Sequence, residues 1–417
     1  MGVERKGPLT DLKVLELAHI MAGPACGLML ADLGADVIKV EKAKGGDDSR
    51  RFLPPDIEGE SAAFMMMNRN KRGIALDLKH ERGKEILLRL VRDADVLIEN
   101  YRRDTMEKLG LGYDRLAEIN PGLIYCEVSG FGRTGPYADR GGFDLVAQGM
   151  SGLMAVTGEG PGRPPVKVGA PVTDINAGTL AAMGVIAAYV EKLKTGRGQR
   201  VDTSLFEAGI TLSYWQSAIC FATGESPGPM GSAHPLNAPY QAIQTRDGWL
   251  NIGAANQANW ERMLAVIGAE ELNADERFSD NARRMANLDA LIEVLTLRFK
   301  TRTTAEWLAE LEAAGVPAGP VLSVKEMHQD PQAIAREMVP EVEHPVAGRV
   351  KTIGLPVKLS ETPGGVVRAA PLLGEHTREV LAEAGYAGGE IDDLLSCGAA
   401  VAAETVEDLS LSAAAAS

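Results

Sequence analysis

Cysteine and histidine are scarce in this 417-residue chain, and their spacing argues against most of their usual roles. The four cysteines are far apart and form no C-x-x-C pair, so we expect neither a disulfide framework nor a zinc site. The six histidines are scattered too, and no H-E-x-x-H sequence occurs. The sequence therefore predicts no metal site and a reducing, cytoplasmic setting.

Positive charge is also in deficit. The chain has 43 Lys and Arg residues against 57 Asp and Glu residues, which gives a formal net charge of −14. Proteins that bind DNA or RNA normally carry a basic surplus. We therefore expect no nucleic-acid partner, and an anionic small ligand would have to be bound by locally placed Lys and Arg side chains.

Long apolar runs are missing as well. The longest apolar stretch covers residues 175–190, which is shorter than the roughly 20 residues that cross a bilayer. Residues 1–10 have no apolar core of the signal-peptide kind. The stretch 175–190 therefore predicts a buried helix, and no membrane partner is expected.

The first half of the chain alternates between short apolar strands and helices. The strands are predicted at 14–20, 37–41, 73–79, 95–100 and 123–129, and the helices at 25–33, 81–92 and 104–109. This alternation is typical of an α/β fold with a parallel sheet and helices on both faces. Ligands of such sheets bind beyond the carboxyl ends of the strands, so we expect the site in those loops.

The second half begins with a change of composition. After a strand at 200–203 and a single helix at 204–220, residues 224–239 are rich in Gly, Pro and Ser and predict a linker. Strands at 240–245 and 249–253, helices to about 315 and a hairpin at 343–352 follow. Two helices, at 377–384 and 390–396, end the pattern.

A glycine-rich motif follows the strand that ends at Ser129. Gly130, Gly132 and Gly135 match the spacing of a dinucleotide-binding fingerprint, but that site needs a helix to start at once. Pro136 and a loop follow instead, so the alternatives are a dinucleotide site and, preferred here, a glycine-rich loop near another ligand. No G-x-S-x-G nucleophile elbow occurs.

Three further positions allow a functional or a purely structural interpretation. His19 follows the first strand and is either a strand-end histidine or part of a site at the Gly23-Pro24 helix start. The basic run 68–73, which includes Arg72, is either a solvated loop or a phosphate clamp to which Lys39, Lys42 and Lys44 would add. Asp174 precedes an apolar helical run, which is the position of an N-cap.

Taken together in their order along the chain, many segments resemble one family, the class III (CaiB/BaiF-type) CoA-transferases. Its members include formyl-CoA transferase, carnitine CoA-transferase and the α-methylacyl-CoA racemases. The matching segments are 14–17, 22–24, 33–41, 46–50, 68–72, 95–101, 130–136, 169–178, 194–199, 238–241, 247–248 and 371–377. They span nearly the whole chain.

The resemblance implies a fold and an assembly. It implies a Rossmann-like large domain built from both parts of the chain, a smaller inserted α/β domain, and an interlocked homodimer. The boundaries expected on this basis are 1–223 for the first part of the large domain, 224–335 for the linker and inserted domain, and 336–417 for the return.

The resemblance also implies residue roles. An Asp at the position of Asp174 is the nucleophile of the transferases, and no cofactor beyond the substrate coenzyme A is implied. The positions implied to bind CoA are His19, Ile20, Met21, Ala22, Lys42, Arg72, Leu76, Lys79, Asn100, Tyr101, Arg102, Lys108, Arg140, Phe143 and Asp144. The expected substrates are an acyl-CoA and a small mono- or dicarboxylic acid.

Two departures narrow the activity that the resemblance implies. The racemases have His where this chain has Phe143, and Phe cannot move a proton, which favours transfer over the racemase alternative. Formyl-CoA transferase has Gln where this chain has Met21, and methionine is a poor hydrogen-bonding group, which argues against formate and oxalate exchange. Segments 231–234 and 239–242 look closer to succinyl-CoA:dicarboxylate members. A non-catalytic acyl-CoA-binding protein is the remaining alternative.

Overall fold

The computed structural model describes residues 5–403, which form two compact units. The first unit contains the described residues up to 151, residues 169–212 and those from 331 onward. The second unit contains residues 152–168 and 213–330. The expected boundaries at 223/224 and 335/336 thus differ from the observed changeovers by eleven and five residues, and the segment 152–168 had not been expected to group with the second unit.

Fourteen strands occur in the described residues. They are β1 (Lys13–Glu16), β2 (Asp36–Lys42), β3 (Asp56–Ile57), β4 (Glu60–Ser61), β5 (Arg72–Leu76), β6 (Val96–Glu99), β7 (Ile124–Ser129), β8 (Arg200–Ser204), β9 (Tyr240–Gln244), β10 (Trp249–Gly253), β11 (Ala318–Pro320), β12 (Glu341–His344), β13 (Gly348–Lys351) and β14 (Ala400–Val401).

Eighteen α-helices connect them within the same described residues. They are α1 (Ala22–Asp32), α2 (Ala62–Asn68), α3 (Glu81–Val91), α4 (Thr105–Lys108), α5 (Tyr113–Ile119), α6 (Asp144–Met150), α7 (Leu153–Val156), α8 (Val172–Thr195), α9 (Leu205–Thr211), α10 (Tyr214–Thr223), α11 (Gln257–Ile267), α12 (Asn281–Ala286), α13 (Leu288–Phe299), α14 (Thr304–Ala313), α15 (Val324–Met327), α16 (Pro331–Ala335), α17 (Thr377–Glu383) and α18 (Gly388–Ser396).

The first unit is built on a seven-stranded sheet of order β14-β5-β2-β1-β6-β7-β8. Six of its strands are parallel, and only the edge strand β14 runs antiparallel, against β5. This confirms the predicted α/β fold with a parallel-dominated sheet. The loops after β1, β2, β5, β6 and β7 therefore meet at one edge of the sheet.

Successive side chains of a strand point to opposite faces of the sheet, so apolar side chains lie on both faces, and helices cover both. Val14, Val96 and Ile98 belong to the core that the sheet forms with α1 and α8. Leu15 and Leu97 belong to the opposite core, with α3, α5, α17 and α18. These strands therefore carry buried apolar side chains on both faces of the sheet, and for this reason their sequences are continuous apolar runs.

Helices α1 and α8 pack unusually closely. A Cβ atom built on Gly178 of α8 would lie 2.5 Å from the Cβ of Ala25 and 2.7 Å from the carbonyl oxygen of Ala22, both on α1. Only glycine allows this approach. The contact fixes the first turns of α8, which carry Asp174, against the start of α1.

Among the described residues, α8 is the one helix long and apolar enough to cross a membrane by length and composition, with a mean hydropathy of 1.2. Ala181, Val185 and Ala188 are buried in the core beside α1, as the prediction of a core helix requires. The prediction of a buried helix over 175–190 therefore holds for one side of α8, because Met183 and Val190 on its other side are exposed.

The second unit has a smaller antiparallel sheet of order β11-β10-β9. Helices α11, α13 and α14 cover it through a core that includes Trp260, Leu291, Phe299 and Trp307. The segment 224–239 contains no helix or strand, in agreement with the predicted linker. The predicted single helix at 204–220 is wrong: α9 and α10 are separate and belong to different units.

Candidate active site

The loop after β1 is held in place from two sides. The side-chain amide of Asn100, after β6, accepts a hydrogen bond from the His19 amide at 2.8 Å and donates one to the His19 carbonyl at 2.9 Å. Ile20 has a left-handed backbone, with φ of 66°, which is uncommon for a β-branched residue. Its amide donates to the buried carboxylate of Asp47 at 3.1 Å, which stabilises this conformation.

Asp47 is part of a buried chain of charges under this loop. Lys39 Nζ lies 2.9 Å from Asp47 and 3.0 Å from Glu16, and Lys71 Nζ lies 2.8 Å from Glu16. Burial opposes the charge on Asp47, but Lys39 and Ser49 outweigh it and hold the pKa of Asp47 well below its usual range. Burial lowers the pKa of Lys71 to about 8 despite Glu16. The two carboxylates, of Glu16 and Asp47, equal the two ammonium groups, of Lys39 and Lys71, in number. Buried charges require such partners of opposite sign.

Glutamates occupy the carboxyl halves of four adjacent strands, β2, β1, β6 and β7. These four residues, which we call the strand-end glutamates, are all buried and all paired with cations: Glu16, Glu41, Glu99 and Glu127. Glu99 and Glu127 are direct neighbours in the ladder, and Arg133 joins them at 2.6 and 3.0 Å. Burial raises the pKa of Glu99 to about 7.

One cavity of about 450 Å³ lies at the carboxyl ends of β2 and β5. Its cationic side chains are Lys42, Lys44 and Lys79, and Leu76 and Tyr101 supply apolar surface. We call it the lysine cavity. Its size and its mixture of ammonium and apolar groups suit a ligand that carries both a flat ring and phosphates.

A second cavity, of about 160 Å³, contains Asp174 and is called the aspartate cavity. Ala22, Asn100, Gly130 and Arg140 also line it, and Tyr101 lines both this cavity and the lysine cavity. The two cavities therefore lie on either side of Tyr101 along the same sheet edge. A long ligand that passes Tyr101 could occupy both.

Asp174 is the third residue of α8 and not its N-cap, so the N-cap interpretation is wrong. The helix start is held by Asp144 instead, whose Oδ1 accepts from the Thr173 amide at 3.0 Å and from the Thr173 hydroxyl at 2.7 Å. Asp144 Oδ2 accepts from Gln148 at 2.7 Å. Because Asp144 accepts these hydrogen bonds at the start of α8, the Asp174 carboxylate is not used as a cap and is available to a ligand in the aspartate cavity.

The environment of Asp174 favours its neutral form. Burial, and then the charge of Asp144, raises the pKa of Asp174 to about 7. No side chain among residues 5–403 forms an ion pair with it. A carboxylate that is desolvated and without a counter-ion is a stronger nucleophile than one surrounded by water.

The predicted binding residues fall into groups. Ala22, Asn100, Tyr101, Arg102, Arg140 and Phe143 line the aspartate cavity, and Lys42, Leu76 and Lys79 line the lysine cavity. His19, Ile20 and Met21 form the loop after β1, beside Asn100 and before Ala22. Lys108 is exposed at the end of α4, next to Leu109, which lines the lysine cavity. Asp144 binds the start of α8.

Arg72 does not lie with these residues. It is the first residue of β5, at the opposite end of the strand from Leu76, and its guanidinium contacts Asp36, Glu379 and Glu383 at 2.7 to 2.8 Å. Because these three carboxylates already bind the guanidinium, Arg72 is not available to bind a phosphate group. Both interpretations of the run 68–73 fail, since Arg69 and Lys71 are buried in ion pairs as well. Lys39 is excluded from a phosphate site for the same reason.

The glycine motif forms a loop and not the start of a helix. The next helix, α6, begins only at Asp144. A Cβ on Gly130 would lie 2.6 Å from the Cα of Gly142, so the two glycines bring the ends of this loop into backbone contact. This agrees with a glycine-rich loop beside a ligand and not with a dinucleotide fingerprint. The part played by Gly142 was missed in the sequence.

Comparison with known proteins identifies the family. The model of CoA-transferase family III matches residues 9–377. The chain belongs to this family. It is 41% identical over 388 residues to a succinate–glutarate CoA-transferase of Agrobacterium fabrum, covering 91% of this chain and 96% of the relative. It is also 41% identical over 358 residues to an acetyl-CoA:oxalate CoA-transferase of Acetobacter aceti, covering 85% of this chain and 90% of the relative.

A solved structure agrees with this membership. A CaiB/BaiF family protein from Brucella suis matches with a TM-score of 0.82 and 41% identity, over 91% of this chain and 100% of that one. The family III chain described here is therefore an enzyme of the CoA-transferase class, and the α/β fold is that of its family.

Proposed function

We propose that this family III enzyme moves CoA from an acyl-CoA, with succinyl-CoA as the expected donor, to a free dicarboxylic acid through a covalent intermediate on Asp174. The observation that carries the proposal is the Asp174 carboxylate, desolvated and without a counter-ion among the described residues, in a cavity that shares the lining residue Tyr101 with the lysine cavity. The name of the Agrobacterium relative supports the choice of dicarboxylates.

The lysine cavity is proposed to bind the nucleotide end of CoA. Lys42, Lys44 and Lys79 would bind phosphate groups as point charges, while Leu76 and Tyr101 would contact the adenine ring. The pantetheine arm would pass Tyr101 and Asn100 and bring the thioester to Asp174. Binding energy from this distant part of the substrate can be used at the reacting bond.

The proposed reaction proceeds in balanced steps. Asp174 attacks the thioester carbonyl, which forms an aspartyl–acyl anhydride and releases CoA as its thiolate. The thiolate attacks the aspartyl carbonyl, which forms an aspartyl-CoA thioester and frees the first acid. The acceptor carboxylate attacks that thioester, which forms a second aspartyl–acyl anhydride and releases the thiolate again. The thiolate then attacks the new acyl carbonyl, which gives the product thioester and regenerates the Asp174 carboxylate. One thioester replaces another, so the steps call for no cofactor besides CoA.

Each tetrahedral intermediate needs hydrogen-bond donors for its oxyanion. Pro24 has no N–H, and the Ala25 amide donates to the Met21 carbonyl at 2.7 Å, so the amides of Ala22 and Gly23 at the start of α1 are the candidate donors.

The assembly is proposed to be the interlocked homodimer of Rossmann-like subunits that the family resemblance implies. Met183, Val190 and Leu193 on α8 leave large apolar side chains exposed, as do Tyr214 and Phe221 on α10. Such surfaces are typical of faces that a second subunit covers. A cytoplasmic location, and the lack of nucleic-acid and membrane partners, remain part of the proposal.

The test is an acyl-exchange assay. The enzyme is mixed with succinyl-CoA and a panel of free acids, including glutarate and oxalate, and new CoA thioesters are detected by mass. Asp174→Ala should abolish exchange, and hydroxylamine should trap the wild-type intermediate as a hydroxamate on Asp174. Asp139→Asn is the matched control, since Asp139 lines the same cavity but is largely exposed. Exchange that survives Asp174→Ala would refute the proposal, and deuterium entering the α-carbon of an acyl-CoA without exchange would favour the racemase alternative.

A further inference from the structure

The aspartate cavity has four arginines in its lining, and two of them lack a carboxylate partner in the part of the chain that the structure describes. Arg103 lies 3.2 Å from Asp139, and Arg133 is bound by Glu99 and Glu127. Arg102 and Arg140 form no ion pair with any of the described residues 5–403. A dicarboxylic substrate brings a second negative charge close to Asp174, and these two side chains are the free cations available there.

The positions of Arg102 and Arg140 along the sheet edge differ. Arg102 follows Tyr101 and lines the aspartate cavity and a third cavity beside Arg133 and Arg200, but it does not line the lysine cavity. Arg140 is in the loop after β7, on the far side of β6 from β2 and β5, and it lines the aspartate cavity. A ligand whose nucleotide end occupies the lysine cavity would therefore extend its acyl end across β6 toward the β7 loop.

The Arg140 loop is fastened to the nucleophile's helix. Its base is fixed by the backbone contact between Gly130 and Gly142, and its end is fixed because Asp144 binds Thr173, the neighbour of Asp174. The guanidinium itself lies over the ring of Tyr137, 4.0 Å from the centroid, which orients it without neutralising it. A planar, oriented guanidinium suits a carboxylate.

We propose that Arg140 binds the distal carboxylate of the acyl group and of the acceptor acid, and thereby selects dicarboxylic substrates, whereas Arg102 keeps the CoA contact that the family resemblance implies. This inference rests on the proposed function, and it assigns Arg140 a role different from the CoA contact that the family resemblance implies. The donor and acceptor acids would use the same guanidinium in turn, because each passes through the same anhydride with Asp174.

The test measures binding in an Asp174→Ala background, where no turnover occurs. The affinities of succinyl-CoA and of butyryl-CoA, its uncharged counterpart of equal chain length, are determined by calorimetry. Adding Arg140→Gln should weaken succinyl-CoA binding roughly 10- to 100-fold, the cost of a lost charged hydrogen bond, and leave butyryl-CoA within about 3-fold. Arg140→Lys should restore part of the preference. Arg102→Gln should weaken both ligands alike.

The outcomes separate this inference from the proposed function. If Arg140→Gln weakens both thioesters equally, Arg140 binds the CoA arm and the inference is overturned while the transferase proposal stands. If neither thioester is affected, Arg140 contacts no substrate, and the inference also fails. If the otherwise unmodified enzyme exchanges no acid in the mass assay, the proposed function fails independently of Arg140. Because the Arg140 side chain is exposed, we expect Arg140→Gln to leave the fold intact.

Discussion

Replacing Asp174 with Asn should stabilise the protein in a pH-dependent way, because the charge on Asp174 opposes folding. Burial and Asp144 raise its pKa from 3.8 to about 7. The ionised carboxylate is therefore less stable in the folded chain than in the unfolded chain. This cost is absent below the unfolded-state pKa of about 3.9, grows as the pH rises, and is complete above pH 7.

The magnitude follows from the shift. Three pKa units at about 1.4 kcal/mol each give an upper value of about 4 kcal/mol. Solvent reaches this half-buried group, so about 2 kcal/mol is the expected gain for Asp174→Asn at pH 8. At about 2–4 °C per kcal/mol, that is a rise in Tm of roughly 4–8 °C. At pH 4 the variant and the wild type should melt together.

The assay is thermal unfolding of both proteins between pH 4 and pH 8.5 at one protein concentration, since the Tm of the proposed dimer would depend on concentration. Asp139→Asn, which removes an exposed carboxylate of the same cavity, should show no such trend. If Asp174→Asn and the wild type differ by the same amount at every pH, the carboxylate is not desolvated. The argument for its strength as a nucleophile would then fail.

Three further outcomes are expected. The kcat/KM of the wild type should rise with pH through about 7 and then level off, since only the ionised Asp174 attacks. Asp144→Asn should move the midpoint of this rise to lower pH. An unchanged midpoint would contradict the idea that the charge of Asp144 raises the pKa of Asp174. Asp47→Ala should lower the free energy of unfolding by about 3–5 kcal/mol, because it leaves Lys39 buried with too little negative charge, and denaturant titration measures this. Gly178→Val should lower both Tm and kcat by forcing α8 away from α1, whereas Gly389→Ala, with open space around it, should do neither.

Much of the fold could be predicted because its causes are local. Apolar runs such as those of β1, β6 and β7 are buried on both faces, and the glycine and proline positions separate them clearly. The single helix predicted at 204–220 failed because its apolar pattern continues across Ser213, where the chain passes from one unit to the other. The spacing of the apolar residues does not indicate where the chain passes from one unit to the other.

The site could be predicted only in part, because the availability of a charged side chain depends on distant partners. Arg72 looked like a phosphate ligand, yet Glu383, which occupies it, lies 311 residues away in the sequence. Lys39 and Lys71 looked free for the same reason. One signal was overlooked: three of the strand-end glutamates, Glu16, Glu99 and Glu127, each follow two apolar residues within a predicted strand. Buried acids of that kind require buried bases.

The two attachments of the Arg140 loop affect how the preference of this enzyme for a carboxylic acid could change during evolution. The loop is attached at Gly142 and Asp144, whereas Arg140, two residues before Gly142, and Phe143, between the two attachment points, are exposed and belong to no core cluster of the described residues. Substitutions there should cost little stability, in contrast to substitutions in the ionic network beneath the sheet edge. If Arg140 selects the acid as proposed, the preference for a carboxylic acid and the stability of the fold depend on different residues, so a lineage could exchange one acid for another through a few substitutions in this loop.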